Sequence, residues 1–314
     1  MKAFHLTTCK FYRPKHDGLK IAVISDLHFS PQVKDAKLSA LTNFLKKLKP
    51  GYIFLPGDLI DSAAAVDDPR EAERLLHHLE GIAKVAPLFI SRGNHDSYRR
   101  QGDHWAEDRS EHFFADLAAI KNVHLLDNQS FSNKDLYVLG FTQPFDYYST
   151  NFATITHPVP ENRDKMIQSL RALDQALLHN LPKHQLKFAL IHSPVYLHDP
   201  AVLKELGEFD YFISGHMHNG VVPPPLDALW LSNKGIIAPS KNFFPSNVRR
   251  TIKTNDDKSI VAGPVTTFHE ISGPLHLANV LYPTYVTLLE FTKDKKYARK
   301  PYVGHKYYKS PGML

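Results

Sequence analysis

The chain has 314 residues, a formal net charge of +6, 43% hydrophobic and 22% charged residues, 19 His and one Cys. That apolar share supports a sizeable core and excludes a disordered tail protein. The single cysteine, Cys9, excludes an internal disulfide framework, a thiolate zinc ribbon and an iron–sulfur cluster, so any metal must be held by imidazole and carboxylate.

Ile21–Ile24 reads as a short buried strand. Val33–Leu48 places Leu38, Leu41, Leu45 and Leu48 at helical spacing, with Lys46 and Lys47 toward the polar side. Tyr52–Leu55 is a second strand, Pro69–Val85 a second helix through Leu75, Leu76, Leu79 and Ile82, and Leu88–Ile90 a third strand. This alternation argues for parallel strands with helices packed outside. Further on, Val123–Leu126, Ser130–Phe131 and Leu136–Gly140 read as short strands and Asp164–Leu178 as a helix. Phe188–Ile191 and Tyr211–Ser214 are again short buried strands, and Tyr285–Phe291 is a late one. Between them Val221–Lys253, rich in Pro, Asn and Ser, reads as a long loop of the kind that often carries function. No linker composition divides the chain, so residues 1–314 are expected to form a single domain.

No run of about 18 apolar residues is present, so no transmembrane helix is expected. The opening MKAFHLTTCKFYRPKHDG lacks a signal peptide's apolar stretch. A cytoplasmic protein is the expectation, with peripheral membrane contact left open by the basic end. There, Lys293 to Lys309 gathers Lys295, Lys296, Arg299, Lys300 and Lys306 between aromatics. This stretch reads either as a solvated end or as a patch for anionic lipid head groups or nucleic acid.

The residues that carry chemistry follow the strands. Ser25-Asp26-Leu27-His28, Pro56-Gly57-Asp58, Gly93-Asn94-His95-Asp96, His192-Ser193-Pro194 and Gly215-His216-Met217-His218 each come directly after an expected strand. In an open α/β sheet the carboxyl ends of the strands form the ligand crevice, so these segments should converge. The converging donors are Asp26, His28, Asp58, Asn94, His192, His216 and His218. This set of O and N atoms without a thiolate suits Mn, Fe or Zn better than Ca or Mg. Seven ligands exceed the need of one ion and divide over two if Asp58 bridges. On an extended segment, the i and i+2 residues of Asp26-x-His28 and His216-x-His218 would point the same way.

Asp-x-His, Gly-Asp, Gly-Asn-His-Asp, His and Gly-His-x-His, in that order from Asp26 to His218, resemble the calcineurin-like metallophosphoesterase superfamily. The continuation after His218 and the N-terminal lead-in resemble its bacterial branch of YkuE-like and YaeI-like phosphodiesterases. The resemblance implies an αββα sandwich: two facing mixed β-sheets flanked by helices, of α/β (α+β) class. It implies two divalent metal ions, one held by Asp26, His28, Asp58 and His218 and the other by Asp58, Asn94, His192 and His216. His95 would stand near the leaving-group oxygen as acid or charge stabiliser, with Asp96 orienting it by a hydrogen bond. The reaction implied is hydrolysis of a phosphomonoester or phosphodiester by a metal-bridging hydroxide, on a small-molecule or lipid-linked substrate.

Alternatives with the same centre are a nuclease, supported only by the basic tail, and a cyclic-nucleotide phosphodiesterase. A non-catalytic scaffold on the same fold would have lost metal ligands or the motif histidine, and none is lost here. Asp61 either caps the next helix or hydrogen-bonds a ligand, and Arg92 either pairs with an acid at the surface or touches a substrate phosphate. Asn219-Gly220 stands where the bacterial relatives more often carry a Gly-Gly-Gln type sequence, which removes that loop as a guide to substrate. Cys9, placed before the first expected strand, is assigned no role.

Overall fold

Successive side chains on the strands go to opposite faces, and here both faces are buried. In β2 (Lys20–Val23), Ile21 and Val23 enter one hydrophobic cluster, while Ala22, and Ile24 just beyond the strand, enter another. This alternation, repeated on most strands, builds four layers. The architecture is that of a computed structural model, which describes residues 3–101, 104–149, 160–222, 250–252, 259–266, 284–298 and 302–309.

The first half runs β1 (Ala3–Tyr12), β2, α1 (Asp35–Leu48), β3 (Tyr52–Pro56), α2 (Pro69–Ala83), β4 (Leu88–Ser91), a hairpin of β5 (Tyr98–Gln101) and β6 (His104–Glu107), α3 (Glu111–Ala118) and β7 (Val123–Leu125). The second half runs β8 (Gln129–Ser132), β9 (Leu136–Phe141), α4 (Phe145–Ser149), α5 (Pro160–Ala172), α6 (Ala176–His179), β10 (Leu186–Ile191), α7 (Pro200–Leu206), β11 (Tyr211–Ser214), β12 (Arg250–Ile252), β13 (Ser259–Val261), β14 (Thr284–Thr292) and β15 (Tyr302–Lys309).

One sheet has the order β15-β1-β14-β2-β3-β4-β7 and the other β12-β13-β11-β10-β9-β8. Both are mixed. Strands β2, β3, β4 and β7 are parallel, with β14 antiparallel to β2; β9, β10, β11 and β13 are parallel, with β8 and β12 antiparallel at the edges. Between the sheets, Phe54 meets Phe188 edge-on at 5.2 Å, within a cluster that includes Val23, Phe89, Val138 and Ile213. Outside the first sheet, Leu38, Leu41 and Leu45 of α1 and Leu75, Leu79 and Ile82 of α2 cover Ile53, Leu55, Leu88 and Ile90. Outside the second, Met166, Leu170, Leu178 and Val202 cover Leu139, Ala189 and Phe212. The expected αββα sandwich is therefore the observed fold.

Four local expectations are corrected. Ile21–Ile24 is not the first strand: β1 precedes it, paired in parallel with β14 from the far end of the chain, a partnership no local pattern announces. Cys9 lies inside β1, and burial between the sheets pushes its thiol up to about 12. The helix expected at Asp164–Leu178 is two, α5 and α6, because the Asp174 carboxylate accepts the Ala176 amide hydrogen at 2.9 Å and starts a new turn. Of the loop expected over Val221–Lys253, Arg250–Ile252 forms an edge strand, while 223–249 lie outside the described residues. The basic segment Lys293–Lys309 contains β15, the edge strand beside β1.

Candidate metal centre

Every candidate ligand stands just past the carboxyl end of a parallel strand. Asp26 and His28 follow β2, Asp58 follows β3, Asn94 follows β4, His192 follows β10, and His216 and His218 follow β11. Because β2, β3 and β4 belong to one sheet and β10 and β11 to the other, the site straddles the mouth of the sandwich.

The backbone here is unusual. Asp26, His28, Asp58, His216 and His218 have φ of 51°, 45°, 54°, 66° and 45°. Left-handed geometry is uncommon outside glycine and gathers at functional sites. The expectation that Asp-x-His and His-x-His work as extended segments is thus corrected: paired left-handed residues, not strand alternation, turn both side chains inward. Gly57, at φ 90°, precedes Asp58, and a Cβ on it would fall 2.5 Å from His192 Nδ1. That missing side chain lets the His192 ring pack on the β3 turn, where its Nδ1 lies 2.7 Å from the Pro56 carbonyl.

Three groups of ligand atoms lie within 4.8 Å of one another: Asp26 with His28 and His218, Asp58 with His192 and His216, and His28 with Asp58 and His95. Asp58 Oδ2 is 3.0 Å from His192 Nε2 and 3.6 Å from His28 Nε2. His28 Nε2 and His218 Nε2 are 3.0 Å apart, and His218 Nε2 is 3.5 Å from Asp26 Oδ1. Asp26 Oδ1 also accepts the His216 amide hydrogen at 2.9 Å, and Asp58 Oδ1 that of His95 at 2.9 Å.

The electrostatics favour ligation. Burial raises the Asp26 carboxyl, but neighbouring His218 and His192 more than offset that and bring it to about 2. Asp58, equally buried, is held well below the carboxylate range by His192, His95 and His28. Burial pushes the His28 and His216 imidazoles down to about 3, which keeps them neutral as ligands must be. His192 is also buried, yet Asp58 against it lifts its ring to about 9. Two buried carboxylates that raise each other's cost of ionisation call for positive charge nearby. The orphaned atoms agree: Asp26 Oδ2, His28 Nδ1 and both amide atoms of Asn94 are buried without a hydrogen-bond partner among the described residues. Unsatisfied buried polar atoms are rare unless something else fills their valence. The donor set therefore fits divalent cations.

Around the centre, three expectations shift. Asp96 does not bond His95; its Oδ1 accepts from the Leu59 and Ile60 amides at 2.9 and 3.0 Å and its Oδ2 from Gly93 at 2.7 Å. It ties the Asp58 loop to the Gly93 turn, and burial beside the Asp58 charge raises it to about 7. The His95 ring is instead held by Asp61, whose carbonyl is 2.5 Å from Nδ1, and by the Tyr98 hydroxyl, 2.6 Å from Nδ1 and 2.9 Å from Nε2. Asp61 is not the cap of the helix that follows. Ser62 and Asp68 begin the next two helical turns, and the Asp61 carboxylate lies 3.9 Å from His28 Nδ1. Arg92 points away from the centre. It is buried, donates to the Arg109 carbonyl at 2.5 Å and to Glu111 at 3.0 Å, and stacks over Phe114 at 4.0 Å. Tyr98 is a site residue the sequence reading missed; its only signal was its place three positions after His95.

Residues 19–220 match the family model described as calcineurin-like phosphoesterase. A bovine (Bos taurus) transmembrane protein with metallophosphoesterase domain is 27% identical over 226 residues, covering 70% of this chain and 45% of that protein. A Chlamydia trachomatis UDP-2,3-diacylglucosamine pyrophosphatase, LpxG, is 35% identical over 79 residues, covering 25% of this chain and 23% of that protein. A solved archaeal phosphodiesterase has 12% identity and a TM-score of 0.34, covering 79% of this chain and 85% of its own. The chain spans less than half the length of these curated relatives. Among the described residues no helix is long and apolar enough to cross a membrane. The match over 19–220 takes in every candidate ligand, and the chain belongs to the calcineurin-like phosphoesterase family.

Proposed function

We propose that the chain is a phosphoesterase working through two divalent cations, one held by Asp26, His28, Asp58 and His218 and the other by Asp58, Asn94, His192 and His216. The observation that carries this reading is Asp58, whose Oδ2 stands 3.0 Å from His192 Nε2 and 3.6 Å from His28 Nε2 and so serves both groups. Nitrogen and oxygen donors without thiolate favour Mn, Fe or Zn.

Bound there, the cations supply Lewis acidity toward the phosphoryl oxygens and a nucleophilic water at neutral pH. The remaining work falls to side chains. The Asp61 carbonyl can only accept, so His95 Nδ1 keeps its hydrogen. His95 Nε2, which the Tyr98 hydroxyl also approaches at 2.9 Å, is then the ring atom that would stabilise or protonate the leaving oxygen. Tyr98 fixes the plane of that ring, and Asp96 fixes the loop that carries Asp58. No protein nucleophile is required.

The substrate is a phosphomonoester or phosphodiester, small or lipid-linked, and the likeness to a UDP-2,3-diacylglucosamine pyrophosphatase supports the lipid-linked end of that range. We place the chain in the bacterial YkuE-like and YaeI-like branch, and read 1–314 as one unit because β1, β14 and β15 complete the sheet that contains β2. The test is release of nitrophenolate from p-nitrophenyl phosphate and from its bis-ester by the manganese-loaded chain. Turnover of either ester that stops on chelation is expected. Metal-loaded protein inert toward both would overturn the reading.

A further inference from the structure

The metal centre lies past the end of β2, and a second concave site lies at its beginning. There the last turn of α1 and the outer faces of β1, β2, β14 and β15 enclose a groove of about 450 Å³. Strand register aligns its charges in a row: Lys10 is paired with Tyr302 on one side and with Glu290 on the other, and Glu290 with Lys20. Lys306 enters from β15 and Lys47 from α1, both exposed, while Leu6, Leu48 and Leu288 line the groove between the charges. Four ammonium groups thus face one carboxylate, Glu290, which lies 2.9 Å from Lys10 Nζ and 3.6 Å from Lys20 Nζ. The groove keeps a surplus of positive charge. The carbonyl end of α1 brings partial negative charge to this edge, and exposed Lys46 and Lys49 beside Lys47 offset it.

Tyr302 supplies the second observation. It is 47% exposed, the one large hydrophobic side chain standing so far into solvent among the described residues. Its ring lies over Gly304, where a Cβ would come within 2.6 Å of the ring carbons. Glycine at that position leaves the ring room to lie along the strand as a wall of the groove. A concave site of a few hundred Å³ with an apolar lining and a few placed charges is the usual form of a small-ligand pocket. Lysines act as point charges for phosphate.

We propose that this groove binds a ligand presenting two or more closely spaced phosphate groups, with Lys47 and Lys306 as charge contacts and Tyr302 against its carbon skeleton. The site is separate from the metal centre, so its occupant does not compete with substrate.

The experiment is lysine footprinting of the full chain by reductive methylation and mass spectrometry. None of the candidate metal ligands is a lysine, so the readout is blind to anything bound at the metals. Inorganic tripolyphosphate is the free probe, and vesicles of phosphatidylcholine with or without phosphatidylglycerol are the lipid probe. Slower methylation of Lys10, Lys20, Lys47 and Lys306 is expected, with Lys84 at the end of α2, which does not line the groove, unchanged. Protection by tripolyphosphate supports a polyphosphorylated occupant; protection only by the phosphatidylglycerol vesicles would show attraction to an anionic surface of single phosphates and would overturn the proposal. Replacing both exposed lysines (Lys47→Gln with Lys306→Gln) should abolish protection at Lys10 and Lys20. Protection by neither probe, equal protection of Lys84, or protection that survives the double substitution would overturn the proposal.

Discussion

The two halves of the metal centre are built differently. Asp58, His192 and His216 are all buried, and His192 is locked against the Pro56 carbonyl. Asp26 and His28 are buried too, but their partner His218 keeps 14% of its side chain exposed and sits in a turn where Asn219 and Gly220 are also left-handed. A fully buried set of donors is pre-organised for an ion, whereas a set with a partly exposed member is more open to solvent. The contrast points to Asp58 and His192, which join the two sheets, as the anchor of the candidate centre, with the His218 side the more open of the two.

The largest effect should come from removing the residue both halves share. Asp58→Asn is expected to lower turnover of p-nitrophenyl phosphate by more than the about 10–100-fold typical of losing an outer partner of a metal site, measured at saturating manganese. Next, the halves should separate. His192→Ala should leave the chain unable to hold the deep ion at any manganese concentration, whereas activity of His218→Ala should recover as manganese is raised. Equal rescue of both would break the distinction. A smaller loss is expected at the group that belongs to neither half: His95→Asn should reduce kcat by about 100-fold, the usual worth of a general acid, while metal content stays whole. If that variant loses metal, His95 is a ligand. Least affected should be Tyr98→Phe, which deletes one hydrogen bond to His95 and should cost about 1 kcal/mol, or about fivefold in kcat with KM unchanged.

Much of this was legible in the sequence, for a physical reason. The ligands follow short apolar runs such as Tyr52–Leu55 and Phe188–Ile191, and parallel strands buried on both faces leave that plain signature. The order of motifs then named the family, and the family named the sandwich. What could not be read were features set by partners distant in the chain. β1 is held by β14 and β15, and its own pattern, buried on both faces, carries no clue to either. The Asp96 carboxylate bonds three backbone amides, which have no sequence identity to read. The left-handed turns at Asp26 and His216 were also hidden, because the residues that adopt them are chosen for their side chains and not for backbone ease.

The most direct test of the central claim is metal content per chain, measured by emission spectroscopy on purified wild-type protein and on Asp58→Asn. A two-ion centre bridged by Asp58 predicts about two ions per wild-type chain and fewer than about one in the variant. A variant that keeps the wild-type content, or a fully active wild-type chain holding a single ion, would contradict it.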